Sequence, residues 1–162
     1  IKKVIVFGKT IARATAFCDE LASQYPITFV AARDLSELKE ADVICTATTS
    51  STPLFPASAL KEGVHINAIG SFKPNMQETD SSVILQSLLI VDQREAALSE
   101  AGDIMIPIQQ GRMGPEHIHA ELGEVVSGFR KGRTSEHQLT VFKSVGNAIQ
   151  DLAIAHGMLK EN

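Results

Sequence analysis

Residues 4–30 read VIVFGKTIARATAFCDELASQYPITFV, and this stretch decides the fold class. Val4 to Phe7 is a short apolar run ending at Gly8, the pattern of a buried strand and a turn. Ile11, Ala14, Phe17 and Leu21 then recur at helical spacing between Ile11 and Ser23. Tyr25-Pro26 closes that helix, because the residue before a proline is pushed out of the helical region. Ile27 to Val30 is a second apolar run. Strand, glycine, helix and strand in that order make the unit of a parallel sheet.

The alternation continues outward. Leu35 to Glu40 reads as a short helical piece, and Val43 to Ala47 as a third strand followed by a polar Thr/Ser cluster. Pro56 to Leu60 starts a short helix that Glu62-Gly63 ends, and His65 to Ile69 is a strand stopped by Gly70. Ser81 to Gln86 reads as helix, Leu88 to Val91 as strand and Arg94 to Glu100 as helix. Pro107 leaves Ile104 to Ile108 open. Glu121 to Ser127 reads as helix with Gly128 as its cap, Leu139 to Phe142 as strand and Ala148 to Leu159 as helix. The expected fold is α/β: a Rossmann-like, doubly wound, mainly parallel sheet. Such sheets take ligands beyond the carboxyl ends of their strands.

Composition agrees. Hydrophobic residues make up 44%, aromatics only 5%, and Trp is absent, so the core rests on Ile, Val, Leu and Ala, as in a sheet covered on both faces. The net charge of -4 and the short Arg130, Lys131, Arg133 cluster, interrupted by Gly132, argue against a nucleic-acid partner. No stretch approaches the roughly 18 apolar residues of a membrane span, and no signal-peptide pattern is present. The expectation is a cytoplasmic protein with no membrane partner. Cys18 and Cys45, both among apolar neighbours, read as buried reduced thiols. The chain opens on Ile1 almost directly with a strand, so the N-terminal part of a larger protein is expected to precede it.

Four segments could carry chemistry. Gly8-Lys9-Thr10-Ile11-Ala12-Arg13 joins a strand to a helix start, where backbone N–H groups can face a phosphate. Only the first glycine of the G-x-G-x-x-G fingerprint is present, and Thr10 stands where the second would fall. Taken alone, the segment reads more readily as an ordinary tight turn. Thr46 to Pro53 follows a strand and offers hydroxyls to a ribose or phosphate, or caps the next helix. Asn67-Ala68-Ile69-Gly70-Ser71 ends a strand at a glycine, which permits close approach of a ring. Phe142 to Asp151 again runs from strand through glycine to helix. His117 and His119, with Glu116 and Glu121 nearby, have the spacing of two metal ligands on one strand but no third, so no metal is expected. His65 and His156 read as core or interface histidines, and the absence of Gly-x-Ser-x-Gly leaves a hydrolase elbow without support.

In this order the segments resemble one family. Ala41-Asp42-Val43-Ile44-Cys45-Thr46-Ala47-Thr48-Thr49-Ser50, His65-Ile66-Asn67-Ala68-Ile69-Gly70 and Glu121-Leu122-Gly123-Glu124-Val125-Val126-Ser127-Gly128 match its motifs. So do Gly132-Arg133-Thr134-Ser135 and Phe142-Lys143-Ser144-Val145-Gly146 with Gln150-Asp151. The chain is similar to the ornithine cyclodeaminase/mu-crystallin family over residues 41–160. The resemblance implies a two-domain enzyme of about twice this length, using NAD or NADP on a small imino or amino acid and forming a homodimer. The N-terminal substrate and dimerisation domain would be largely missing here. Residues 1–140 would form the NAD(P)-binding domain, and residues 141–162 a strand and helix returning toward the missing one. Carried over by position, Gly8, Thr10, Ile11 and Ala12 would approach the pyrophosphate. Thr46, Thr48 and Ser50 would line the coenzyme's path, Asn67, Ile69 and Gly70 would sit near the nicotinamide, and Ser144 and Gly146 would flank it. No catalytic acid or base is assigned.

Three departures matter. The phosphate loop lacks the family's second glycine. The stretch from Val30 to Asp34 is too short for the helix and strand the family places there, so residues are expected to be missing and Asp34 is a poor ribose contact. Ornithine cyclodeaminases carry an aspartate where Phe72 stands, and a phenyl ring can neither take a proton nor pair with an ammonium. The resemblance therefore implies reduction of a cyclic imino acid such as pyrroline-2-carboxylate. Ornithine cyclodeamination and coenzyme binding without turnover are the alternatives.

Overall fold

Short apolar runs separated by glycine and proline breaks fold here as short parallel strands joined by helices. The computed structural model describes residues 1–160. Contacts group the chain into two units, one of residues 1–41 with 59–61, the other of residues 42–58 with 62 onward.

In the first unit, β1 (Lys3–Val6) and β2 (Thr28–Ala31) pair in parallel, Lys3 opposite Thr28 and Val6 opposite Ala31. The helix between them, α1 (Ile11–Ala22), starts at Thr10, whose hydroxyl accepts the Arg13 N–H at 3.3 Å. It buries Ala14 and Cys18, one turn apart on one face. Gly8 makes room for it: a Cβ there would lie 3.2 Å from the Cβ of Ala14. After β2 the chain passes directly into a single 3-10 stretch, Leu35–Glu40, capped by Asp34. Among the described residues no further strand lies between β2 and β3 (Val43–Thr46).

The second unit is a five-stranded, all-parallel sheet in the order β3-β4-β7-β5-β6. Its strands are β3 (Val43–Thr46), β4 (His65–Ala68), β5 (Leu88–Val91), β6 (Ile118–Glu121) and β7 (Thr140–Lys143). The helices are α2 (Ser81–Gln86), α3 (Arg94–Glu100), α4 (Gly102–Gln109), α5 (Leu122–Val126) and α6 (Ala148–Lys160). The register sets Ile44, Ile66, Val141, Leu89 and Ile118 in one row across all five strands. All five side chains are buried, and this row is the centre of the core. The chain leaves a place between β4 and β5 that β7 fills on its return. The tips of β4, β7 and β5 therefore emerge side by side.

Four details differ from the sequence reading. β1 and β2 form their own ladder, separate from the five-stranded one. β6 was unexpected, because Ile118–Glu121 alternates apolar and polar residues and runs straight into α5. The Glu124 carboxylate accepts the Glu121 N–H at 2.8 Å, which starts that helix after the strand. Cys18 is buried, but Cys45 is exposed, because it points to the sheet face opposite Ile44 and Thr46. His156 is exposed on α6, whose Ile149, Leu152, Ile154, Met158 and Leu159 are exposed as well.

Ile66 sits mid-row with no solvent exposure. Truncation of Ile66→Ala is expected to cost about 2–5 kcal/mol, read from the shift of a urea unfolding midpoint.

Candidate functional site

Two residues beyond the apolar core row, toward the carboxyl ends of the strands, the same sheet face turns polar. Thr46, Ala68, Lys143 and Val91 form this next row, and the Thr46 and Lys143 side chains are buried in it. Polar atoms at that depth need partners, and two carboxylates supply most of them.

Glu78 is fully buried in the segment before α2. One of its oxygens accepts the Thr48 N–H. The other accepts the Thr46 hydroxyl at 3.0 Å, the Gly70 N–H at 2.7 Å and the Ser71 N–H at 3.2 Å. A single carboxylate thereby ties the tip of β3 to the tip of β4. Gly70 is required for this closeness, since a Cβ there would collide with the Thr48 backbone and the Glu78 carboxylate. Glu78 is in turn held from below. Asp103, at the start of α4, accepts the Glu78 N–H at 2.8 Å and the Thr79 N–H at 2.9 Å. Gly102 lets α4 approach, because a Cβ there would strike the Met76 carbonyl.

Lys143 completes the cluster. Its ammonium donates to the Ala68 carbonyl at 3.0 Å and lies 3.6 Å from Asp103 Oδ2, an oxygen with no hydrogen bond of its own. Burial raises the Asp103 carboxyl above its ordinary range, opposed by the Thr79 N–H and by Lys143. Burial likewise lowers the Lys143 ammonium, opposed by the charges of Asp103 and Glu78.

Asp92, just after β5, organises the third tip. Its Oδ2 accepts the Ser144 hydroxyl at 2.8 Å, the Val145 N–H at 3.0 Å and the Gly146 N–H at 3.1 Å. Gly146 adopts φ +92, a conformation side chains disfavour, and a Cβ there would meet open space. β4 and β7 are hydrogen-bonded neighbours, so Ile69-Gly70 and Ser144 leave the sheet side by side.

On the other sheet face a chain of hydrogen bonds reaches Asn67. Arg133 donates to the Thr140 hydroxyl at 2.8 Å, and Thr140 Oγ1 lies 2.7 Å from His65 Nδ1. His65 Nε2 in turn lies 3.2 Å from Asn67 Oδ1.

The first unit has its own concavity, a cleft of about 450 Å³ lined by Phe7 to Ile11 and Ala32 to Leu35. Gly8, Thr10 and Ile11 border it, and Ala12 does not. Asp34 lies there too, and hydrogen bonds from Ser36 hold its carboxyl below the usual carboxylate range.

Among the expected site residues of the second unit, Thr46, Thr48 and Gly70 converge on Glu78, and Ser144 and Gly146 on Asp92. Thr46 and Ser144 are buried, with their hydroxyls spent on those carboxylates. Both act as supports rather than as surfaces a ligand could touch. Ser50 stands apart, its hydroxyl donating to the Thr52 carbonyl at 2.7 Å. Ile69 is half exposed. The two histidines of the sequence reading separate: His117 sits in a 3-10 turn, 2.8 Å from the Ile84 carbonyl, and His119 on β6, 2.8 Å from the Lys131 carbonyl. Among the described residues no group of three possible metal ligands occurs, and no helix is long and apolar enough to cross a membrane. Sequence reasoning missed Glu78, Asp92 and Asp103. The available signal was a lone acid inside the apolar run Ala101 to Ile108, and a lysine closing an apolar strand.

A model of the ornithine cyclodeaminase/mu-crystallin family matches residues 1–162. The chain belongs to that family. A Delta(1)-pyrroline-2-carboxylate reductase of Bacillus cereus is 43% identical over 157 residues, which cover 96% of this chain and 48% of the relative. An alanine dehydrogenase of Archaeoglobus fulgidus is 34% identical over 155 residues, 96% of this chain and 46% of the relative. Among solved structures, Thermococcus litoralis Delta(1)-pyrroline-2-carboxylate reductase in complex with NADH and L-proline superposes with a TM-score of 0.89 at 37% identity. That match covers 93% of this chain and 47% of the other. The chain thus spans about half the length of the family members it matches.

The Glu78 clamp makes a direct prediction. Glu78→Gln turns an NH2 group toward buried donors and leaves them unsatisfied, so it should cost about 1–3 kcal/mol in urea unfolding. An unchanged midpoint would show that the carboxylate is dispensable.

Proposed function

We propose that this chain is the coenzyme-binding half of an NAD(P)H-dependent reductase that acts on a small cyclic imino acid of the pyrroline-2-carboxylate type. The observation that carries the reading is the adjacency of the β4 and β7 tips, fixed by Glu78 and Asp92. It offers a flat strip of backbone at Ile69-Gly70 beside the open loop Ser144–Gly146. A planar nicotinamide fits such a strip, because glycine lets a ring lie on the backbone. The cleft of the first unit at Gly8–Ile11 and Ala32–Leu35, with Lys9 and Arg33 on its wall, has by itself the charge to hold a phosphate group.

The coenzyme, when bound, supplies the hydride that goes to the imine carbon. The chain's own part is placement. Asn67, held by His65, fixes one polar atom on the strand, and Ile69 presents an apolar edge that keeps water from the ring. Phe72, half exposed after β4 with the Lys73 ammonium 5.4 Å from its ring, brings no carboxylate to the site. That favours imine reduction over deamination of a diamino acid. The likeness to the Bacillus and Thermococcus reductases supports the same substrate class.

The test is to give the intact protein pyrroline-2-carboxylate with NADH or NADPH and follow the nicotinamide absorbance. The expected outcome is its loss together with formation of proline. Coenzyme binding with no turnover, or ammonia released from ornithine, would contradict the reading. Gly70→Ala, which pushes the Thr48 loop and Glu78 away, should lower kcat/KM roughly a hundredfold.

A further inference from the structure

The backbone N–H groups along the strip at the β4 and β7 tips are already spent. Ile69 donates to the Thr46 carbonyl at 2.9 Å. Gly70 and Ser71 donate to one oxygen of Glu78, at 2.7 and 3.2 Å. Val145 and Gly146 donate to one oxygen of Asp92, at 3.0 and 3.1 Å. These donors are turned to carboxylates and are not offered to a ligand's negative charge. The other oxygens accept as well: Glu78 takes the Thr48 N–H, and Asp92 takes the Gln93 N–H at 2.9 Å. A carboxyl group that only accepts is ionised. Each side of the strip therefore has a full negative charge one hydrogen bond away.

Lys143 does not cancel these two charges. Its ammonium is fully buried 3.6 Å from the equally buried Asp103, so that pair is neutral as a unit. The exposed Lys73 ammonium stands over the Phe72 ring at 5.4 Å, where water and salt screen it. Glu78, with no solvent exposure, is screened far less.

The oxidised nicotinamide ring is a cation and the reduced ring is neutral, so a fixed anion nearby binds the two unequally. We infer that Glu78 and Asp92 bias the strip toward the cationic, oxidised form of a nicotinamide coenzyme. This bias rests on the proposed function for the place of the ring, and adds to it a charge preference. Reduction of an imine moves a hydride from the ring to the imine carbon and a proton from water to the nitrogen, which leaves one positive charge over the strip. Anions fixed in advance stabilise that charge as it develops. Glu78 and Asp92 are thus positioning residues that also set a field.

Titration of the intact protein with NADH and NAD+, and with NADPH and NADP+, tests this. The ratio of the oxidised to the reduced dissociation constant measures how far binding shifts the coenzyme's reduction potential. Asp92→Asn keeps an oxygen to accept the loop N–H groups and removes the charge. It should weaken the oxidised form roughly fivefold relative to the reduced form. Glu78→Gln should move the ratio the same way, by roughly tenfold, because its charge is shielded from water. Asp92→Glu, which keeps the charge, should leave the ratio as it is in the unaltered protein even where both constants rise. Circular dichroism checks that each variant is folded. If Asp92 and Glu78 only hold the loops, their neutral variants weaken both forms equally. That result would overturn the inference and leave the proposed function standing. Binding of neither form by the unaltered protein would overturn the proposed function and the inference with it.

Discussion

The arrangement of the second unit depends on one buried anion. Glu78 receives four hydrogen bonds from residues on two neighbouring strand tips, and it has no solvent exposure. A carboxylate taken out of water costs several kcal/mol unless donors replace the water, and these donors do so. The exchange works both ways: loops without side chains to pack would wander in solution, and the anion gives their N–H groups one place to point. Asp92 repeats the device at the tip of β7. Asp103 and Lys143 extend it into the core, linking α4 to the sheet beneath Glu78.

This cluster explains why the sheet face changes from apolar to polar within two residues along the strands. The row from Ile44 to Ile118 supplies hydrophobic cohesion. The next row trades cohesion for fixed backbone geometry, with Thr46 and Lys143 reaching their partners inside the fold. Preorganisation of that kind serves binding, because a strip already held in shape loses little freedom when a ring lies on it.

The strands and helices were legible because each is a short run bounded by a residue with a known conformational effect, such as Gly8, Pro26 or Gly70. β6 was not, since Ile118 to Glu121 is brief, half polar and fused to a helix start. The separation of β1 and β2 from the larger sheet has no signature in periodicity. The family motifs at Thr46 to Ser50, Asn67 to Gly70 and Ser144 to Gly146 pointed to the strand tips where Thr46, Thr48 and Gly70 meet Glu78 and Ser144 and Gly146 meet Asp92. Their organisers were not, because Glu78 meets Thr48 across 30 residues and Asp92 meets Ser144 across 52. A buried acid leaves no pattern near itself in sequence; its donors are backbone groups that any residue could provide. The same blindness made Thr46 and Ser144 look like ligand contacts, when their hydroxyls face inward.

The central claim is that the strip formed by Ile69 and Gly70 beside Val145 and Gly146 receives the nicotinamide ring. Backbone amide resonances followed during titration with NADPH or NADH test it most directly. The account predicts saturable shifts concentrated at these four residues and at Thr48, with the core row around Ile66 unmoved. Saturable binding that leaves those amides in place and shifts others would contradict it.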